Sequence, residues 1–323
     1  MTKNDVSKNA VSWLTIEEHH VGQRIDNFLQ THLKGVPKSH VYRILRRGEV
    51  RVNKGRVKPT YRLQIDDIVR LPPVRTATPS EPVKPSSKVL QQLADSVLHE
   101  EEHFMIINKP SGMAVHGGSG ISIGVIEGLR ALLPNAPYLE LVHRLDRDTS
   151  GCLIIAKKAS MLKQFHLMLR ENKLRKRYVA LVKGQWPAKL KQVDAPLRKN
   201  VLRSGERIVR VDEQGKHALS RFERRERFND ATLMQINIVT GRTHQIRVHT
   251  AHTDHPIAGD EKYGDEVFNQ QMRERGLKRL FLHAEQVVLP LEGLRQPLKI
   301  SAPLPADLAH LLSIKMEESI DGD

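Results

Sequence analysis

The sequence predicts an α+β protein in which a small basic unit precedes a mixed, mostly antiparallel sheet with helices packed beside it. Two observations carry this prediction. Beyond residue 95, short apolar or alternating runs outnumber helical stretches and do not alternate with them as in a βαβ protein. Between residues 72 and 88, five prolines stand among serine, threonine and lysine, and they separate the two parts of the chain.

These shifts in composition also predict the domain boundaries. At 323 residues the chain is long enough for two domains, one of them with a sizeable core. We expect a mobile polar tail over 1–19, a compact basic unit over 20–75, a Pro-rich linker over 76–94, a larger domain over 95–312 and a second tail over 313–323.

The basic unit begins with two predicted helices. The first has Ile25, Phe28 and Leu29 at helical spacing. The second opens at Pro37 and stops at Gly48, and its apolar stripe lies opposite a basic side at about 100° per residue. The basic residues of that side, which we expect to bind RNA phosphates, are Lys38, Arg43, Arg46 and Arg47. Short strands follow around two turns.

The charge balance predicts a polyanionic partner. The chain has 52 lysines and arginines and 37 acidic residues, a net charge of +15. Residues 22–75 hold 13 of those bases and 4 of the acids, so one sixth of the chain carries a net charge of +9. Nucleic acid is the first interpretation of this excess, and an anionic membrane surface is the alternative.

Other features exclude several classes of protein. The chain contains no run of 18 apolar residues, and its N-terminus lacks the apolar segment of a signal peptide. Cys152 is the only cysteine, which excludes an internal disulfide and a multi-cysteine zinc site. We therefore expect a cytoplasmic protein that does not enter a membrane, and a monomer as the default state.

The larger domain shows a series of predicted strands and two predicted helices. Apolar runs at 104–107, 153–156 and 178–182 have the length of strands, and residues 233–239 alternate as a half-buried strand does. Helical spacing is found near 122–132 and 159–172.

The most informative segment is HRLDRDTSG at 143–151, which places Asp146 between two arginines. Fixed positive charge favours the ionised form of a neighbouring carboxylate, and arginine also binds phosphate. An acidic nucleophile or base in a basic frame suits a polyanionic substrate that reacts away from its phosphates, such as RNA. The alternatives are a surface ion pair and a turn held by local hydrogen bonds.

Three further segments contain residue types that are common in functional sites. They are NKPSG at 108–112, RKRY at 175–178 and GRTHQIRVH at 241–249, the last of which is expected to open a helix after a strand.

Competing chemistries find little support in the sequence. The four histidines between 244 and 255 do not have a zinc spacing, so no metal is expected. The glycines at 117–120 lack the ending of a P-loop, so no nucleotide cofactor is expected. Asp146 and Asp148 could instead be the paired carboxylates of a glycosidase, although two residues within one turn are close for that role.

The run at 143–151 resembles the signature of the RluA-type pseudouridine synthases. The motifs at 241–247 and 108–112 are similar to those of the same family, as is the segment from His255 to Gly264, and residues 22–75 resemble the S4 RNA-binding module. The resemblance covers roughly residues 20–305. The departures, at Cys152, Asp66 and Asp254, affect packing or turns and remove no expected catalytic group.

The resemblance implies a pseudouridine synthase fold preceded by an S4 domain of the αL type. It implies an intramolecular transferase that isomerises specific uridines to pseudouridine in 23S (large-subunit) ribosomal RNA, or in its assembly intermediate, with base flipping and no cofactor. The rival hypotheses are a non-catalytic RNA-binding or ribosome-assembly factor and a carbohydrate hydrolase.

The resemblance also implies roles for individual residues. Asp146 matches the essential aspartate, which either adds to C1′ or removes a sugar proton. Tyr178 matches the aromatic residue that stacks on the target base, Arg247 the arginine that pairs with the aspartate, and Arg144 the residue that fills the gap left by the flipped base. His143 and Arg242, in the two matched motifs, are further expected RNA contacts.

Overall fold

The computed structural model describes residues 11–33, 35–74, 85–118, 123–201, 207–291 and 293–320. The chain divides into two compact units, residues 1–82 and 83–323. Within the described residues, no helix is both long enough and apolar enough to cross a bilayer.

The N-terminal unit packs two helices on one face of a three-stranded antiparallel sheet. Its elements are β1 (Ser12–Thr15), a 3₁₀ turn (Glu18–His20), α1 (Ile25–His32), α2 (Lys38–Arg47), β2 (Arg51–Val52) and β3 (Ile68–Leu71), and the strand order is β1-β3-β2. Phe28, Leu29 and Ile44 of the helices are buried in one core with Val52 and Val69 of the sheet. The predicted stop of the second helix is confirmed, because Gly48 adopts φ 71° at its end.

A buried carboxylate joins the two helices. Asp26, at the start of α1, accepts two hydrogen bonds from the guanidinium of Arg24 and one from the Tyr42 hydroxyl of α2. The hydrogen bond from Arg24 is the largest cause that lowers the pKa of Asp26 to about 2, and it outweighs the opposing effect of burial. The position of α2 relative to α1 is therefore fixed by charge as well as by apolar packing.

The predicted tail over 1–19 was too long. β1 pairs with β3 over all four of its residues, and Ile16 is buried in the core of the unit. The strand is only four residues long and its sequence, Ser-Trp-Leu-Thr, does not alternate apolar and polar residues, so composition alone did not reveal it. Residues 1–10 lie outside the described part of the chain.

The larger unit is built on a ten-stranded sheet. Its strands are β4 (Val97–Glu100), β5 (Phe104–Lys109), β6 (Glu140–Leu141), β7 (Ser150–Ala156), β8 (Arg175–Lys183), β9 (Gln192–Asp194), β12 (Leu219–Arg227), β13 (Ala231–Ile238), β14 (Leu282–Leu289) and β15 (Leu298–Ser301); a separate hairpin joins β10 (Leu197–Val201) and β11 (Arg207–Val211). Its helices are α3 (Ser87–Ala94), α4 (Val125–Leu132), α5 (Ala159–Arg170), α6 (Gln245–His252), α7 (Glu266–Glu274) and α8 (Ala306–Ile320).

The sheet has the order β4-β5-β7-β14-β8-β13-β12-β9, with β15 beside β14 and β6 beside β7. Its pairs are antiparallel except for β7 and β14, which are parallel, so the predicted mixed, mostly antiparallel sheet is confirmed. Gly151 makes the parallel pair possible, because a Cβ atom there would lie 2.3 Å from the carbonyl oxygen of Ala284. The strand β7 is buried along its whole length, and Cys152 is one of its core residues.

Two further predicted boundaries were wrong. The end of the expected linker over 76–94 forms α3, whose Leu93 is fully buried against Gly128 of α4. The expected tail over 313–323 continues α8 as far as Ile320. In α3, apolar residues at helical spacing find a surface to pack on, which outweighs the polar composition around them. Residues 75–84 and 321–323 lie outside the described ranges.

Candidate active site

A cleft on the larger unit is lined by all six of the site residues predicted in that unit. It encloses about 1690 Å³ and is lined by the loop before β7, the start of β8, parts of β12 to β14 and the N-terminal end of α6. Asp146, Arg144, Tyr178, Arg242 and Arg247 all line it. The structure thus brings together three segments that are far apart in sequence.

The buried side chain of Lys109 fixes the loop that carries Asp146. The Lys109 side chain is fully buried, and its Nζ donates to the carbonyl oxygens of Pro110 at 2.7 Å, Met113 at 2.8 Å and Arg147 at 2.9 Å. Ser111 adds a hydrogen bond from its hydroxyl to the carbonyl oxygen of Asp148. The NKPSG turn therefore holds the backbone on the C-terminal side of Asp146 in place.

Burial lowers the pKa of Lys109 to about 7. The three short hydrogen bonds use all three protons of the ammonium group, so the surrounding carbonyl oxygens offset part of the cost of burying the charge.

Arg247 lies beside Asp146 and is held there by a second carboxylate. Its Nη1 is 3.4 Å from Oδ2 of Asp146, while its Nε and Nη2 donate to the two oxygens of Asp260 at 2.7 and 2.8 Å. Burial disfavours the charged form of Arg247, but the bonds to Asp260 outweigh this effect and raise its pKa. The same bonds lower the pKa of Asp260 despite its burial. A fixed positive charge therefore faces Asp146.

His244 faces Asp146 from the first turn of α6. It adopts φ 53° as the N-cap of the helix, and its Nε2 is 3.9 Å from Oδ1 of Asp146. The hydroxyl of Tyr263 accepts the amide proton of Val209 and is 2.8 Å from Nδ1 of His244. Burial lowers the pKa of His244, with the charge of Asp146 opposing it. When the His244 ring is neutral, the Tyr263 hydroxyl donates its hydrogen bond to Nδ1. The ring proton is then on Nε2, the atom that faces the Asp146 carboxylate.

Tyr178 stands on β8 at the wall of the same cleft. The side chain is 5% exposed, and burial raises its pKa, with a further contribution from the charge of Asp146. The ring is therefore neutral at physiological pH and lies close enough to Asp146 to be influenced by its charge.

His143 contacts the protein backbone. Its Nε2 accepts the amide proton of Ile154 in β7 at 3.2 Å, and burial lowers its pKa to about 3. A neutral ring engaged in this way fastens the start of the Asp146 loop to the sheet. This placement favours a structural role over the RNA contact that we expected for His143, although its ring also borders the cleft.

The remaining predicted RNA contacts are exposed. Arg144 lies on the surface of the cleft, and Arg242 lines it while its Nε donates to the carbonyl oxygen of His217. Nine lysines and arginines line the cleft, against the two carboxylates Asp146 and Glu223, so its potential is positive and suits a polyanion. The four predicted basic residues of the N-terminal unit, which are Lys38, Arg43, Arg46 and Arg47, are exposed on α2.

Three of the four histidines considered as metal ligands, His244, His249 and His255, make other contacts. His249 bonds to the Ser220 hydroxyl and to the carbonyl oxygen of Ala195, and Nδ1 of His255 lies 2.8 Å from the carbonyl oxygen of Lys183. Among the described residues, no group of three or more His, Cys, Asp or Glu side chains is arranged to hold a metal ion.

Four residues that shape this site were not among the predicted site residues. His244 was considered only as a possible metal ligand. Asp260 and Tyr263 were part of a matched motif but not site candidates, and Lys109 was known only as part of a turn. A signal was present for Asp260, because Arg247 needs a carboxylate partner if it is buried beside Asp146. Nothing in the sequence showed that Lys109 would be buried.

Comparisons with known proteins agree with this geometry. Residues 103–252 match the family model for RNA pseudouridylate synthase, and residues 23–69 match that for the S4 domain. The chain is 55% identical over 314 residues to ribosomal large subunit pseudouridine synthase C of Pasteurella multocida, covering 97% of this chain and 96% of that protein. It is also 55% identical over 306 residues to the Escherichia coli K12 protein of the same name, covering 94% of this chain and 96% of that protein.

A solved structure shows the same similarity in three dimensions. Human RNA pseudouridylate synthase domain containing 4 superposes with a TM-score of 0.58 at 26% sequence identity, covering 70% of this chain and 95% of the human chain.

Proposed function

The chain belongs to the RNA pseudouridylate synthase family, and on that premise we propose that it isomerises specific uridines of large-subunit ribosomal RNA to pseudouridine. The observation that carries the proposal is the position of Asp146 in a positively charged cleft, 3.4 Å from the fixed guanidinium of Arg247. The relatives' printed names support the choice of RNA.

The reaction moves one bond of the nucleotide and changes its composition in no other way. The bond from C1′ to N1 breaks, the uracil turns, a bond from C1′ to C5 forms, the C5 proton leaves and N1 gains a proton. Asp146 acts on the ribose, either by adding to C1′ or by removing a sugar proton. Both routes begin with an ionised carboxylate, and the Asp146 carboxylate faces Nη1 of Arg247 at 3.4 Å and Nε2 of His244 at 3.9 Å.

The target uridine must leave its stack before its sugar can reach Asp146. Flipping costs a few kcal/mol, and stacking on an aromatic ring returns about 1–3 kcal/mol per base. Tyr178 supplies that ring at the wall of the cleft, and its raised pKa keeps it neutral. Arg144 is exposed beside the cleft, where it can fill the space that the uridine leaves in the RNA.

The exposed basic side of α2 supplies the sequence-independent part of RNA binding. Its four lysines and arginines project from a unit that matches the S4 module. Contacts of this kind with phosphates weaken steeply as salt concentration rises. RNA held on this unit raises the concentration of substrate at the cleft, because both units belong to one chain.

Release of tritium from RNA labelled at C5 of uracil tests the proposal, because C5 loses its hydrogen only when the uracil is rejoined there. We expect release from large-subunit ribosomal RNA transcripts with the natural chain and none with Asp146→Asn. Asp148→Asn is the matched control, since Asp148 lies two residues away, pairs with Arg147 at the surface and leaves Asp146 intact.

Three outcomes separate the hypotheses. Loss of release in Asp146→Asn alone supports the isomerase and identifies its carboxylate. Tight RNA binding without release by the natural chain would instead support the non-catalytic factor. Absence of RNA binding, together with glycoside cleavage that needs both Asp146 and Asp148, would support the hydrolase.

A further inference from the structure

The outer face of the sheet in the N-terminal unit carries an exposed tryptophan next to two arginines. The register of β1, β3 and β2 places Trp13 opposite Arg70, and Arg70 opposite Arg51. Neighbouring side chains in such a row are about 5 Å apart at Cβ. We call these three residues the Trp13 row.

The Trp13 row is not part of the core. Val52 and Val69 point to the helices and are buried, whereas Arg51 and Trp13, on the other face, are exposed, and Arg70 between them is partly exposed. The indole of Trp13 is 53% exposed. The second tryptophan of the chain, Trp186, is 2% exposed and packs on Phe222, as is usual for this residue in a folded domain.

Hydrogen bonds hold the two arginines at this face. Nη1 of Arg70 donates to the carbonyl oxygen of Glu49 at 2.6 Å, and Nε of Arg51 donates to that of Gly48 at 3.2 Å. Each guanidinium is therefore partly restrained by a backbone acceptor before any ligand binds, which reduces the entropy lost on binding.

The arginines of the Trp13 row are bonded to the turn that ends α2. Gly48 and Glu49, which anchor its arginines, directly follow Arg46 and Arg47 at the end of that helix. The carboxylate of Glu49 is the acidic group at this turn, and it lies 3.8 Å from Arg47.

We propose that the Trp13 row binds an unpaired nucleotide of the RNA, with the base stacked on the Trp13 indole and the flanking phosphates bound by Arg51 and Arg70. This inference rests on the proposed function in taking RNA as the ligand. The pairing of a stacking surface with cations is the arrangement that single-stranded nucleic acid requires, and a duplex keeps its bases inside. Two arginines within the row also favour a polyanion over an apolar protein surface.

Tryptophan fluorescence of the full chain tests the proposal, because Trp13 is the exposed one of only two tryptophans. The probe is a single-stranded oligoadenylate, which has no uridine for the cleft to modify, compared with a duplex RNA of equal length. We expect the single strand to quench the emission and to bind roughly 5- to 100-fold more weakly to Trp13→Ala. Trp13→Phe retains most of the affinity.

A matched control is Val21→Ala, which removes an exposed apolar side chain of the same unit from outside the sheet. Its affinity for oligoadenylate stays at the level of the natural chain. Equal affinity of Trp13→Ala and the natural chain would overturn the proposal. So would a change of oligomeric state in Trp13→Ala without any change in RNA binding, since the face would then be a protein contact.

The two proposals fail separately. Quenching of tryptophan fluorescence by oligoadenylate does not depend on the reaction in the cleft. The experiment therefore tests the Trp13 proposal even if no tritium is released from ribosomal RNA. Conversely, tritium release that depends on Asp146 supports the isomerase whether or not Trp13 contributes to binding.

Discussion

Replacement of Asp260 by asparagine tests whether a buried ion pair sets the position of Arg247. The side chains of Asp260 and Arg247 are 1% and 9% exposed, and two hydrogen bonds of 2.7 and 2.8 Å join them. The asparagine side chain is uncharged and has a single acceptor oxygen, so it cannot accept both hydrogen bonds from the guanidinium of Arg247. Breaking a buried pair by removing one partner costs about 3–5 kcal/mol of folding stability, because the other charge stays buried without compensation.

The same change should lower the reaction rate through geometry. Arg247 would lose the partner that directs its Nη1 at Asp146, and a displacement of about 1 Å at such a site costs about 100-fold in rate. We expect that loss in kcat, with little change in KM, because Asp260 is buried behind Arg247 and does not line the cleft. Single-turnover tritium release gives the rate, and urea unfolding gives the free energy.

Asp230→Asn is the matched control for this experiment. Asp230 also binds an arginine, Arg275, through both oxygens, at 2.9 and 3.1 Å, but the two side chains are 32% and 29% exposed. Loss of such a solvent-accessible, half-buried pair should cost much less than loss of the buried one, since exposed pairs contribute about 0–1 kcal/mol. If Asp260→Asn unfolded within 1 kcal/mol of the natural chain and reacted at its rate, the positioning role of the buried pair would be refuted.

Two other predictions concern the loop that carries Asp146. Lys109→Met should lower the free energy of unfolding by roughly 2–4 kcal/mol, since three carbonyl oxygens lose their donor. Urea unfolding measures this free energy. An equal loss in Lys158→Met, which replaces an exposed lysine, would contradict the prediction. Folding lowers the pKa of His143 from 6.5 to about 3. The stability that the neutral His143 ring contributes to the folded state is therefore fully present above pH 6.5 and is lost as the pH falls toward 3. Between pH 7 and 5 this loss of folding stability is about 2 kcal/mol. Urea unfolding of His143→Gln at both pH values should therefore show a correspondingly smaller drop in the free energy of unfolding than the natural chain shows.

The local elements were largely predictable because their signals are local. The spacing of Ile25, Phe28 and Leu29 gave the first helix, and Gly48 gave the end of the second, because only a residue tolerant of positive φ ends a helix in that way. The alternating pattern at 233–239 likewise corresponds to a real strand. By contrast, β1, α3 and the end of α8 were missed. In α3, polar neighbours diluted a short apolar pattern whose packing partner, Gly128 of α4, is distant in sequence.

The candidate site was likewise predictable only in part. The sequence by itself predicted the three residues to which we assign the chemistry: Asp146 in its signature, Tyr178 after a basic run, and Arg247 in a motif expected to open a helix. Only the tertiary structure decided that Asp260 holds Arg247, that Lys109 is buried beneath the loop, and that His143 faces the backbone of β7. The reason is physical, since hydrogen bonds and burial depend on where distant segments meet, and a motif records only neighbours along the chain.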